Sequence, residues 1–421
     1  LAGRKGAKNV LNVIKIAARN LLRYKRRTLL VSLLIAIGVI FVQVFISGTA
    51  SYKNIIISQI TDAMLGHIQI HKKGYLVSIE NVPLNLNLKP HGVEKIEAAL
   101  KTIPEIDAYS KRIRLGGMIS NFTETTNIRL FGIQPEQEYK TAPLLPGRIL
   151  EGKSELEPGQ ILLPSTLAKG MHLKVGDLVV IIATNKDGSV NGKQFVVGGI
   201  LDAAPGPGGR DGYIHISDAA ELLRLDEPEI SEIALHLRSF KDIPSVNAQL
   251  TQKLGGELNK EGKTAFEIHT WEKLSPFANI AKMLDLMVIF VKIMLVAIVL
   301  ISIMDVMMMS VYERTREIGT IAAIGTLPSR ILAMFITEGL FFGLTGVVLG
   351  NLVSFLIIHV MGSMHITFSF GMREGLVLDP KFDVLSVLII SLIVIVISVI
   401  ASVQPAYKAA RLDPIKALKT I

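Results

Sequence analysis

The sequence predicts an α-helical membrane protein with four transmembrane helices plus a large extracytoplasmic mixed α/β domain inserted between helices 1 and 2. Half of the 421 residues are hydrophobic, and they gather in blocks instead of spreading evenly. Four of those blocks reach the roughly 20 residues that a helix needs to cross about 30 Å of hydrocarbon. Lys and Arg collect beside the blocks in a pattern that assigns every short flank to one of two sides.

The chain opens with a basic segment, residues 1–27. It holds nine Lys and Arg, no Asp or Glu occurs before Asp62, and the nine equal the whole formal net charge of +9. The basic balance therefore belongs to a membrane flank and gives no reason to expect nucleic acid as a partner. At about 100° per residue, Lys8, Lys15, Arg19, Arg23 and Arg26 share one face and Val10, Ile14, Ala17 and Leu21 another. A helix over 8–26 would lie in the cytoplasmic interface, with Arg19, Arg23, Arg26 and Arg27 toward anionic lipid headgroups.

The first span is expected at 28–50, followed by the extracytoplasmic domain at 51–280. Alternation of apolar and β-branched residues predicts strands near 67–71, 127–133, 177–183, 194–200, 212–216 and 232–238. Helical patterns occupy 93–101, 218–223 and 243–254. Residues 163–181 read as a short helix, a turn and a strand, while AAPGPGGRDG at 203–212 is a loop tip. The second span with its stalk follows at 281–311, then a cytoplasmic element at 312–330 and a third span at 331–361. A short extracytoplasmic loop at 362–383, a fourth span at 384–403 and a cytoplasmic tail at 404–421 complete the chain. Arg314, Arg316 and Arg330, and Lys408, Arg411, Lys416 and Lys419, put both termini in the cytoplasm.

Signals for catalysis are missing. The chain has no cysteine, which excludes thiolate metal sites and disulfides. Gly262-Lys263-Thr264 is no phosphate cradle, because a P-loop needs glycine where Glu257 stands. His67 and His71 lie at strand spacing, about 13 Å apart along one face, too far for one ion. No catalytic residue, metal site or bound cofactor is expected. Charges inside the spans each ask for a reason, since a mid-bilayer charge costs about 2.5 kcal/mol or more. Asp305 is the least easily explained; it is expected in a polar helix contact, paired with Lys292 or a partner subunit or else protonated. Gly339, Gly343, Gly346 and Gly350 recur every three or four residues and predict a close-packing face on span three.

The segment VYERTREIGTIAAIG, residues 311–325, places charge directly against the end of a span and then returns to Gly, Ala and Ile. With MSVYERTREIGTIAAIGTLPSRILAMFITEG at 309–339, it resembles the signature of the FtsX-like permeases of ABC transporters, the MacB and lipoprotein-releasing group. QPAYKAARLDPIKALK at 404–419 and ARNLLRYKRRTLLVSLLIAIGV at 18–39 are similar to that family's ending and start. The resemblance implies a homodimer or heterodimer of permeases driven by a separate cytoplasmic ABC ATPase dimer that carries ATP and Mg. It makes Glu313, Arg314, Arg316, Glu317, Gly319 and Gly325 the ATPase-coupling residues. It further implies mechanotransmission to the outer domain, release or export of lipoproteins or other hydrophobic envelope substrates, and a periplasmic lipoprotein chaperone or membrane-fusion protein as a further partner. The alternative within the family is a signalling permease that controls a cell-wall hydrolase. The family's frequent Asn stands here as Asp305, and the outer domain would divide into a porter-like part and a β-rich part near 138–215.

Overall fold

The structure is a computed structural model that describes residues 19, 23, 25–202, 209–258, 262, 264–370, 373–413 and 417. Helix α1 (Lys25–Ile60) passes through a π-helical turn at Thr61–Leu65 into β1 (Ile68–Lys72), α2 (Pro90–Leu100), β2 (Ile106–Ser120) and β3 (Thr125–Ile133). Then come α3 (Pro135–Thr141), β4 (Ile149–Gly152), β5 (Gln160–Pro164), α4 (Ser165–Gly170), β6 (Leu178–Thr184), β7 (Val190–Leu201) and β8 (Asp211–His215). The domain closes with α5 (Ile216–Leu222), β9 (Glu232–Leu237), α6 (Ile243–Leu254), β10 (Phe266–Thr270) and α7 (Trp271–Leu274). After it follow α8 (Ala278–Glu313), α9 (Thr315–Ala323), α10 (Pro328–Ser363), a hairpin of β11 (Thr367–Phe370) and β12 (Arg373–Val377), and α11 (Val384–Ala410).

Two units divide the chain: residues 54–281 with 367–376, and the remainder. In the first, β2 is the organising strand because it is long enough to serve two sets of neighbours. Its first half pairs antiparallel with β9, and β9 and β10 flank β1. Its second half pairs with β3 and β6. Since β3 pairs with β8, β8 with β5, β5 with β7 and β7 with β6, six strands close into a ring. Closure gives each of these six strands a neighbour on both sides and an inside and an outside. Ile119, Ile128, Leu130, Ile181, Phe195 and Val197 alternate inward and are buried together. The β-rich part is thus a closed barrel, and it reaches beyond the expected 138–215 because β2 and β3 supply two of its six strands. Helices α2 and α6 bury Val93, Ile96 and Leu100, and Val246, Leu250 and Leu254, in the same core at helical spacing.

The other unit holds the membrane helices. Among the described residues, four helices are long and apolar enough to cross a bilayer: Thr28–Leu65, Ala278–Glu313, Pro328–Ser363 and Val384–Ala410. The first outruns the span expected at 28–50, continuing unbroken to Ile60, and the expected loop 362–383 contains the hairpin. The amphipathic helix expected over 8–26 lies largely outside the described residues, as do most of the loop tip at 203–212 and much of the tail after 413.

Polar side chains stitch three of these helices together. Gln43 of α1 donates to Asn351 of α10 at 2.6 Å and accepts from Ser354, and Asn351 donates to Ser391 of α11 at 3.0 Å. Ser32 and Thr345 add a 2.7 Å bond between α1 and α10. Glycines set how close the backbones come. A Cβ on Gly339 or Gly343 would fall 2.5 Å from Ser402 Cβ or 2.9 Å from Ser398 Cβ of α11, and on Gly346 or Gly350 it would strike Ile35 or Val39 of α1. Helix α8 is held differently. Its Leu295, Val299, Ile303, Met307 and Val311 share an apolar cluster with Val31, Ile35, Val39 and Val42 of α1. Its ion pairs lie at the two ends, Lys53–Asp285 at 2.6 Å and, just beyond Glu313, Arg314–Glu338 at 3.1 Å.

Candidate functional site

The turn between α8 and α10 is built from the residues that the sequence singled out. Arg314 leaves helical geometry at φ −103° and ψ 12°, which ends α8 and starts α9. Its guanidinium does not face outward. The side chain is only 5% exposed, with Nη1 3.1 Å from Glu338 Oε1 of α10, Nε 3.1 Å from Glu317 Oε2, and its carbon 5.7 Å from the centre of the Phe335 ring. Burial opposes the charge, but Glu338 and Glu317 beside it outweigh that cost and hold the guanidinium charged more firmly than usual. Two paired ions and an aromatic face make a buried Arg tolerable here.

Arg314, expected among the coupling residues, is thus buried and locks α9 against α10. Gly319 is likewise buried, beside Ile318. Glu317 divides its oxygens between Arg314 and Arg23, the latter at 3.9 Å. Glu313, Arg316 and Gly325 are exposed, and so are Ile324 at 80% and Leu327 at 57%. Gly325 stands at φ +92°, a left-handed position that ends α9 and that glycine adopts without strain. Pro328 then fills the first turn of α10, where its missing N–H costs nothing. Tyr312 is capped by the Lys408 ammonium 4.6 Å above its ring.

Other expected positions fall elsewhere. Arg19, Arg23 and Arg26 are exposed; the side chain of Arg27 lies outside the described residues. Asp305 points outward from α8 and makes no ion pair or hydrogen bond among the described residues. Lys292 is 13 residues away on one continuous helix, about 20 Å at helical rise, so the pairing expected between the two does not form within the chain. Glu338 was legible only as a charge needing a reason. The clue to its partner was a Glu inside one span with no cation within two turns of it, and an Arg standing just after the span before.

Sequence reading also missed a cluster in the α/β domain. His67, just before β1, receives the Leu237 N–H on Nδ1 at 3.0 Å, while its Nε2 lies 3.1 Å from Asp62 Oδ1. The His236 ring stacks on it at 4.6 Å, with Nδ1 3.5 Å from Asp107. Asp62, His67 and His236 present three ligand-type atoms close together. With Nδ1 occupied as an acceptor, however, neutral His67 carries its proton on Nε2 and donates to Asp62, so no lone pair is left there for a cation. His71, the other histidine of the pattern, is buried against Glu232 at 3.6 Å in a separate network with Arg112, Arg114 and Glu138.

Two family models cover most of the chain: the MacB-like periplasmic core domain over residues 28–253 and the FtsX-like permease C-terminal domain over 287–414. The chain belongs to the FtsX-like permeases with a MacB-like periplasmic core. The permease is 23% identical over 309 residues to the lipoprotein-releasing system transmembrane protein LolC of Xylella fastidiosa, covering 68% of this chain and 72% of that one. To the macrolide export ATP-binding/permease protein MacB of Bdellovibrio bacteriovorus it is 25% identical over 320 residues, 72% of this chain and 45% of that one. The solved periplasmic region of MacB from Actinobacillus actinomycetemcomitans aligns at 14% identity and a TM-score of 0.34, over 50% of this chain and 92% of that one. The permease is therefore a subunit of an ABC transporter of the MacB/LolC type, a multi-pass membrane protein whose mixed α/β domain between the first two spans is periplasmic.

Proposed function

We propose that the permease converts ATP hydrolysis on a separate cytoplasmic ABC ATPase dimer, which binds ATP and Mg, into motion of its periplasmic domain. The work done there releases or exports lipoproteins or other hydrophobic envelope substrates. The observation that carries this reading is the exposed surface of the α9 turn, which presents Glu313, Arg316, Ile324, Gly325 and Leu327. Arg314 makes that turn a rigid handle, since it ties α9 to both Glu317 and Glu338. Helices α1 and α8 each have 36 residues, about 54 Å at helical rise against about 30 Å of hydrocarbon. Both outrun the hydrocarbon, so a push on their cytoplasmic ends is carried along continuous helix beyond it. The basic residues after 313 and before 28 face the same cytoplasm, with both termini inside.

A second permease, identical or related, would cover the face of α8 that carries Asp305, whose unpaired carboxylate has no place against lipid. A lipoprotein chaperone or membrane-fusion protein would receive the substrate. The test is co-purification of the full chain in detergent from its native membrane, comparing wild type with R316E and I324D. The expected result is a P-loop ATPase retained by wild type and lost from both variants. Absence of any ATPase from the wild-type sample would sink the proposal.

A further inference from the structure

Three segments of the periplasmic domain meet on His67. The π-helical turn Thr61–Leu65 leads from α1 to it, and Gly66 makes the bend at φ +76°. The His67 N–H donates to the Leu235 carbonyl of β9 at 2.7 Å, and its carbonyl accepts from Trp271, which opens α7, at 3.1 Å. Its ring closes two more bonds: Nδ1 accepts the Leu237 N–H at 3.0 Å, and Nε2 lies 3.1 Å from Asp62 Oδ1. The side chain is only 6% exposed. The segment that leaves α1 and the one that leads toward α8 are thus fastened to β9 by one residue, through backbone and ring together.

The ring bonds fix a protonation state. Leu237 can donate only to a bare Nδ1, and Nε2 already carries the proton that faces Asp62. A second proton can enter this ring only at Nδ1, where it would meet the Leu237 N–H donor to donor. Ring and amide must then part. Asp62 on the π-turn and His236 on β9, stacked at 4.6 Å, are the titratable groups that face the ring. Asp107 of β2 stands behind His236, with Arg238 of β9 4.0 Å from that carboxylate. Phe240 lies edge-on at 5.5 Å and, like Trp271, brings no charge. His236 is placed differently from His67. Its Nδ1 is 3.5 Å from Asp107 and its Nε2 3.9 Å from Asp62, so a proton there meets a carboxylate on either side and displaces no backbone donor.

We propose that His67 is an acid-released clasp: a proton arriving on its Nδ1 frees the Leu237 amide and unfastens the turn after α1 from β9. Imidazole is the side chain whose charge changes between about pH 5 and 8, the range in which such a clasp works. The open form binds a proton that the closed form excludes, so the clasp is shut in neutral medium and opens as pH falls. The inference concerns the domain itself and needs neither an ATPase nor a substrate.

The experiment is hydrogen–deuterium exchange of the full permease in lipid nanodiscs, read at single amides by fragmentation mass spectrometry and corrected for the intrinsic pH dependence of exchange. Each pH unit below the imidazole range makes opening about tenfold easier, so protection of the Leu237 amide should fall at least about tenfold from pH 7.5 to pH 5. The amides of β3, outside the clasp, should keep theirs. H67N places an amide oxygen where Nδ1 stood and cannot titrate, so its Leu237 protection should stay level over the same range. H236N should lose protection at Leu237 as the wild type does, because the proton that opens the clasp is not on that ring. Level protection in the wild type overturns the proposal whatever the variants do. So does a fall in H67N equal to that of the wild type, or a fall that H236N abolishes, which would move the proton to His236. An equal loss throughout β3 overturns it too, since acid would then be unfolding the domain as a whole.

Discussion

At Arg314 the chain places a guanidinium where hydrocarbon begins, and its neighbours decide whether that is an asset. With Glu338 only 1% exposed on the far side of the pair, removing Arg314 takes the counter-ion from a buried carboxylate. R314L should therefore cost about 3–5 kcal/mol of stability in detergent, whereas the double variant R314L/E338L should recover most of it, because breaking a buried pair hurts more than replacing it. Thermal unfolding of the full chain checks both. At the other end of α8 the same chemistry has little effect. Asp285 is 59% exposed, and D285N should shift stability by less than about 1 kcal/mol, since water already screens its pair with Lys53.

Among the histidines, burial and the stacked His67 ring push His236 below its ordinary 6.5, although Asp62 and Asp107 pull it up. His269 is lowered as well, by burial first. A histidine depressed in the folded state takes up its proton more readily when unfolded. Its contribution to stability is full above about pH 6.5 and is lost as pH falls through that value toward the folded one. Denaturant unfolding followed by Trp271 fluorescence should show a lower midpoint at pH 5.5 than at pH 8, and H236N should flatten part of that slope.

Elements with a strong local period were plain in the sequence. The four spans, α6 at Ile243–Leu254 and the proline start of α10 are set by neighbours three, four or twenty residues away. Strand β2 was not legible, because Lys111, Arg112, Arg114 and the glycines at 116 and 117 interrupt its alternation. Those residues make sense only once Glu138 and Glu232, far along the chain, arrive to pair with Arg112. The candidate site divides the same way. The segment 311–325 could be marked as special from its own residues, but which of them face inward depended on Glu338, and the His67–His236 stack joins positions with no local signal at all. The glycine face of α10 offers an element-scale test. G339A should destabilise by about 1–3 kcal/mol through overpacking against Ser402. G362A, whose new Cβ would meet only the Pro380 carbonyl at an ordinary 3.9 Å, should be neutral or gain up to about 1 kcal/mol from helix propensity.

Across the whole molecule, the membrane helices are joined by two kinds of bond. Hydrogen bonds along their length make α1, α10 and α11 a block with fixed register. Helix α8 meets that block through aliphatic side chains, which slide at little cost, and through ion pairs at its ends, which hold or release. If coupling runs through α8, a disulfide between G38C and L295C should abolish ATPase-linked activity, while one between Q43C and S354C should leave it intact.

The closed ring of six strands has one more consequence. In an open sheet the outer strands fray first, and their backbone amides exchange with solvent sooner than those at the centre. A ring has no outermost strand, and losing any one of them unpairs two others. Deuterium uptake in β2, β3, β5, β6, β7 and β8 should therefore rise together, in one step, with β4 and β10 at the margins already exchanged.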